Sequence, residues 1–329
     1  MRIHTALAGL FCLLLLASCT KNEDVTLIRF DQQLFSGKSP DKIKSLLNQN
    51  PVVSQLYFNA NRAGNDTALV HELTNRVNNP ALNELNAQIQ DEFGDMTDLR
   101  SQLAQAFTNI KKDFPDFHSP RVATVVTGFL GPDLVVTDSL IVIGLDYFAG
   151  PKVKYRPQGP EYPQYILRRY TKEYIVPAIV FAISDKYNAT NRTDQTMLAD
   201  MMYYGKGYIF TKTMMPDIGG EPIADSLVIG YSDKQLTQTF NAQDVVWGHF
   251  IDNQLLYQTN PAIKQRYLNE RPFTAEIGPD CPGAIGRWVG WRIVGRYHDE
   301  HSGVSIADLM RNADARQIFE QSGYKGQKD

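Results

Sequence analysis

The sequence predicts a helix-rich α+β protein, with N-terminal helices, a small β-sheet and a larger C-terminal helical part. Three observations predict it. Over residues 40–114 apolar residues recur at helical spacing, most clearly at Leu99, Leu103, Phe107 and Ile110. Over residues 121–146 the texture changes to short β-branched runs separated by turn residues. Over residues 165–323 helical patterns return. Helices, then a small sheet, then helices is the order of an α+β chain.

The chain opens with Met1-Arg2 and an uncharged apolar stretch, Ala6 to Leu16. A membrane-spanning helix needs about 20 apolar residues, so this stretch has the length of a signal-peptide core instead. It ends in Leu16-Ala17-Ser18-Cys19, which resembles the bacterial lipobox. Residues 1–18 therefore read as a lipoprotein signal peptide and Cys19 as the acylated, palmitate-type N-terminus. Residues 19–30 read as the lipidated end and a tether. Within it, Thr20-Lys21-Asn22-Glu23-Asp24 is either a solvated linker or a loose version of the lysine-plus-acid signal that directs some Bacteroidetes lipoproteins to the cell surface.

Of the three cysteines, Cys12 lies in the removed segment and Cys19 carries lipid, which leaves Cys281 with no partner for a disulfide in the mature chain. A net charge of −3 gives no basic footprint for nucleic acid. No later apolar run is long enough to span a bilayer. The expected protein is one globular domain over residues 31–329, held to a membrane by lipid.

Within that domain the first helices carry Ile43, Leu46 and Leu47, then Leu69, Leu73 and Val77, then the stripe ending at Phe114, where Pro115 stops it. The sheet is expected from Arg121–Thr127, Leu134–Val136 and Ser139–Leu145, with hairpin connections at Gly131-Pro132-Asp133 and Thr137-Asp138. Tyr147–Pro163, rich in Gly, Pro and Tyr, reads as a long ordered loop or a lid. Lys172–Tyr187 is apolar on nearly every side and reads as the central buried helix, started or kinked at Pro177. Further helices are expected at Thr196–Met215, Asp233–Phe240, Ala242–Tyr257, Trp288–His298 and Ser305–Gln321.

The search for chemistry finds near misses. His71-Glu72-Leu73-Thr74-Asn75 is one residue short of H-E-x-x-H, with Asn75 in place of the second zinc ligand, and reads as a solvated helix face. His298 and His301 stand three apart at an expected helix end. Asp133, Asp138 and Asp146 lack EF-hand spacing and read as turn residues at strand ends. The string "PGAIGRWVGWRIVGRY" sets Gly286 and Gly290 one turn apart on a helix, where each glycine costs about 1 kcal/mol relative to alanine. Close packing against the central helix would offset that. The sharper alternative is a ligand pocket beside Trp288 and Trp291, with Tyr203 and Tyr204 as further candidates. No catalytic residue, metal ligand or cofactor is assigned.

Taken in order, "LASC", "IRFDQQLF", "DSLIVIGLDYFAG", "MMYYGKGYIFTKTMMP", "VWGHFIDNQLLY", "GRWVGWRIVGRY" and "FEQSGYKG" resemble the gliding motility-associated lipoproteins of the GldB type, found in Bacteroidetes. That family in turn looks distantly similar to zinc peptidases of the gluzincin type. There a buried helix carries H-E-x-x-H and a downstream helix supplies a glutamate. Here Lys172–Tyr187 contains no histidine, and Tyr203-Tyr204 precedes Gly205 where the acid would stand. The resemblance implies a degenerate peptidase architecture, a pseudopeptidase, in a non-catalytic cell-envelope lipoprotein. Such a protein would support gliding, and the linked secretion machinery, through other envelope proteins, with the outer membrane favoured and its periplasmic or surface face open. The alternatives are a peptidase with an unrecognised site and a carrier of a small ligand.

Overall fold

The computed structural model describes residues 22–60 and 66–327. Cys19 and the signal segment lie outside the described residues. The description is of a helix-rich α+β chain, as the sequence predicts, but the sheet is wired differently. Its strands β1 (Leu27–Ile28), β2 (Arg121–Val125), β3 (Leu134–Val136) and β4 (Leu140–Gly144) stand in the order β1-β2-β4-β3. Only β3 and β4 form a hairpin, closed where Leu140 N donates to Thr137 Oγ1 at 3.1 Å. β2 runs parallel to both β1 and β4. β-branched composition reveals a strand but not its direction, so the expected hairpin between the first two strands is corrected here.

The parallel strands are buried on both faces, which is why "RVATV" and "LIVIG" read as continuous apolar runs. Alternation still sorts their side chains. Val122, Ile141 and Ile143 enter the larger core, while Ala123, Val125, Leu140 and Val142 enter a smaller one beneath the N-terminal helices.

β1 also shortens the expected tether. Glu23 N donates to Thr108 Oγ1 at 2.8 Å, the Glu23 carboxylate accepts from Ser119 at 2.6 Å, and Val25 is buried. The chain is therefore docked from Glu23 onward rather than free to residue 30. Six helices then form the crossover from β1 to β2: α1 (Phe30–Ser36), α2 (Pro40–Gln49), α3 (Pro51–Phe58), α4 (Thr67–Asn78), α5 (Pro80–Phe93) and α6 (Thr97–Asp113). Proline opens α2, α3 and α5, where its missing N–H is not needed. Asp66 and Asn79 cap α4 and α5. The α6 stripe is buried as expected.

Beyond the sheet come α7 (Leu145–Phe148), α8 (Gln164–Leu167), α9 (Ile175–Ser184), α10 (Met197–Met214), α11 (Asp225–Ile229), α12 (Asp233–Asn241), α13 (Gln243–Asp252), α14 (Pro261–Leu268), α15 (Ile285–Glu300), α16 (Ile306–Arg311) and α17 (Ala315–Ser322). The central helix is α10, not the expected Lys172–Tyr187. The latter is a 3₁₀ turn (Lys172–Tyr174) followed by α9, with Pro177 in its first turn.

Residues two apart on a helix point about 200° apart. Gly205 and Gly207 thus open opposite sides of α10. A Cβ on Gly205 would lie 2.4 Å from Gly290 O of α15, and one on Gly207 would lie 2.7 Å from the Phe181 ring of α9. The expected close packing at Gly290 is present, with α10 as the partner; Gly286 instead faces Tyr267 and Leu268 of α14.

Between the two glycines, buried Lys206 donates to Ala189 O at 2.6 Å and Asn312 O at 2.8 Å. The second of these bonds holds the break that splits the expected Ser305–Gln321 helix into α16 and α17, and Asp314 caps the second piece. No helix among the described residues is long and apolar enough to cross a membrane.

Candidate functional site

A cleft of about 390 Å³ opens between the sheet end, α9, α10 and α15. Each wall follows from a local feature. Phe148 comes from α7, directly after β4. Pro177, Ala178 and Phe181 form the side of α9 that faces the recess, and its other side (Ile179, Val180, Ile183) is core. Tyr208 comes from α10, one turn beyond Tyr204. Arg287 comes from the first turn of α15, and Arg169 and Tyr170 follow α8.

The polar end is an ion cluster. Arg169 donates both terminal nitrogens to Glu270, Nη1 to Oε1 at 2.7 Å and Nη2 to Oε2. Arg287 gives Nε to Leu268 O at 2.5 Å, holds Nη1 3.7 Å from Glu270, and lies 4.1 Å over the Tyr204 ring. Arg168 spans to Gly230 O at 2.9 Å and to Gln235.

Burial pushes the Glu270 carboxyl up, but the bond from Arg169 and the surrounding arginine charges outweigh it and hold it below the usual range. Arg168 is pushed down, first by burial and then by Arg169. Burial raises Tyr208 to about 12. At the opposite, sheet end, Asp133 accepts from the Tyr170 hydroxyl at 2.9 Å.

None of the four pocket residues named from the sequence lines this cleft. Trp288 is fully buried, edge-on to Phe240 with ring centroids 5.5 Å apart. Trp291 is buried against Tyr208 at 6.4 Å and lies under Lys212. Tyr203 donates to Asp185 at 2.6 Å on another surface. Tyr204 approaches the cleft through Arg287, and Trp291 backs it through Tyr208. The expected tryptophan pocket is corrected accordingly: its indoles are core, and the recess begins one turn away.

The other candidates also separate. His71 is exposed beside an Arg76–Glu72 ion pair of 2.5 Å. His301 bonds to its own helix at Tyr297 O. Asp138 pairs with Lys186 at the surface. Asp146 is buried and organises the turn after β2, accepting from Thr127 N at 3.0 Å and Phe129 N at 2.8 Å. Sequence reasoning missed Arg169 and Glu270 altogether. Their only signal is charge set beside aromatic or proline residues, in "LRRY" and "NERP".

Fold and cleft together define the class: a helix-rich α+β protein with a charged, aromatic recess. Within that class the chain belongs to the family of gliding motility protein GldB, which matches residues 17–326. No curated protein and no solved structure matches it. The family makes this chain a gliding motility lipoprotein, anchored in the cell envelope.

Proposed function

We propose that this lipoprotein acts in gliding without catalysing a reaction, by binding at the cleft. The observation that carries the reading is the make-up of the α9 wall. The α9 residues that face the recess are Pro177, Ala178 and Phe181, none of which can ligate a metal ion or carry a proton. Tyr208 lines the recess from α10, and Glu270, the carboxylate at its polar end, is held by both terminal nitrogens of Arg169. Apolar walls beside arginines, with that carboxylate already engaged, suit holding a ligand rather than activating water or a nucleophile.

In this reading Cys19 carries the lipid, the outer membrane holds it, and the partners are other envelope proteins of the gliding and secretion apparatus. A strain deleted for the gene should lose colony spreading, and secreted proteins should fall with it. The purified protein should cleave no member of a peptide library, with or without added zinc. Zinc-dependent cleavage would overturn the non-catalytic part of the proposal.

A further inference from the structure

Glu270 is one carboxylate among the guanidinium groups of Arg168, Arg169 and Arg287, all of which border the narrow crevice continuing from the cleft; Arg271, on the same crevice, is paired with Glu276. That leaves a surplus of two positive charges in a partly buried place. Arg169 is fully committed to Glu270. Arg287 is less so: its Nε donates to Leu268 O, but its Nη1 stands 3.7 Å from Glu270, an ion pair too long for a hydrogen bond. The Arg168 Nε is buried and has no hydrogen-bond partner. Partly desolvated positive charge in excess of its counter-ion is costly, and an incoming anion would relieve it. Between this polar end and the Tyr170–Asp133 pair at the sheet end, the walls are the apolar Phe148, Pro177, Ala178, Phe181 and Leu227. Its 390 Å³ lies near the small end of ligand pockets, which run from about 300 to 1,000 Å³.

We propose that the cleft takes a carboxylate borne on a compact apolar body, with the carboxylate against Arg287 and the body against Phe148 and Phe181. This deepens the binding role proposed above and rests on it. The same chemistry belongs to a free aromatic or aliphatic acid and to the last residue of a polypeptide.

The lipidated protein in phosphatidylcholine nanodiscs is titrated calorimetrically with N-acetylphenylalanine and its amide, and with tetraglycyl-phenylalanine bearing a free or an amidated end. The free carboxylates should bind saturably and the amides at least about tenfold more weakly, as a lost charge-assisted hydrogen bond requires. Arg287→Gln should weaken the acids by about tenfold and leave the amides nearly unchanged. Arg287→Lys should fall between, since it keeps the charge and loses the planar fork. Ala178→Trp, which fills the cleft, should abolish binding of both, with the melting temperature of each variant checked against wild type. Binding of N-acetylphenylalanine without the peptide identifies a small-molecule acid; binding of both identifies a chain end.

No saturable binding by the wild type, equal binding of acid and amide, or undiminished binding by a folded Arg287→Gln would overturn the proposal. The two readings fail separately. If Ala178→Trp stops spreading but no acid binds, the ligand chemistry is wrong and the cleft still matters. If acid binds and the Ala178→Trp strain spreads, the site exists but gliding does not depend on it.

Discussion

Gly290→Ala should unfold the protein more easily, although alanine is the better helix former. The added Cβ would sit 2.0 Å from Met201 O and 2.6 Å from Met201 C, and real Cβ atoms essentially never come closer than 3.0 Å. The backbones of α10 and α15 would have to part by about 1 Å, the difference between those distances. Overpacking against backbone costs up to about 3 kcal/mol. A gap of up to about 1 Å forfeits a quarter to a half of the dispersion attraction along the crossing, here about 2 kcal/mol more. Helix propensity returns about 1 kcal/mol.

The net loss is about 4 kcal/mol. At about 2.1 cal/mol/K per residue over about 300 residues, this lowers the melting temperature by about 6 °C. Gly295→Ala, on the same helix, is the control. Its Cβ would meet only Ile209 Cδ1 at 3.5 Å, an ordinary contact, so it should gain about 1 kcal/mol. Calorimetric scans of both variants decide the matter. If Gly290→Ala melts at or above wild type, the close crossing of α10 and α15 is refuted.

Three further outcomes follow from the same structure. Radiolabelled palmitate should enter the wild type and not Cys19→Ala; equal labelling would remove the anchor assignment. Burial pushes the Lys206 ammonium down to about 8 from 10.5, so between those values the unfolded chain holds a proton that the native chain has released. Stability should therefore rise with pH over that window, by about 2 to 3 kcal/mol by pH 10, and denaturant titrations of Lys206→Met should lack that rise. Ile179→Asp places a carboxylate at a fully buried site of α9 and should destabilise the fold by several kcal/mol in urea titrations, while Tyr204→Phe, which keeps the ring beneath Arg287, should leave both stability and spreading unchanged.

What could be read in advance was what is local. The α6 stripe, the β-branched runs and the glycines of "GRWVGW" each carry their meaning within one or two turns, and each forms the element its pattern predicts. What depends on distant pairing could not be read. β1 is two residues long, and its partner in β2 lies beyond six helices. Arg169 and Glu270 are 101 positions apart, so no spacing rule joins them. The tryptophans misled for a related reason. An aromatic cluster next to helix glycines looks the same whether it lines a pocket or fills a core. Only the complete burial of Trp288 distinguishes the two.

The central claim is that gliding depends on what the cleft between α9 and α15 holds. The most direct measurement is colony spreading of a deletion strain complemented with Ala178→Trp, with the variant shown to be present at wild-type level in the membrane fraction and to melt within about 2 °C of wild type. The account predicts loss of spreading as complete as in the deletion. Full spreading by such a strain, with the recess filled and the protein folded and in place, would contradict it.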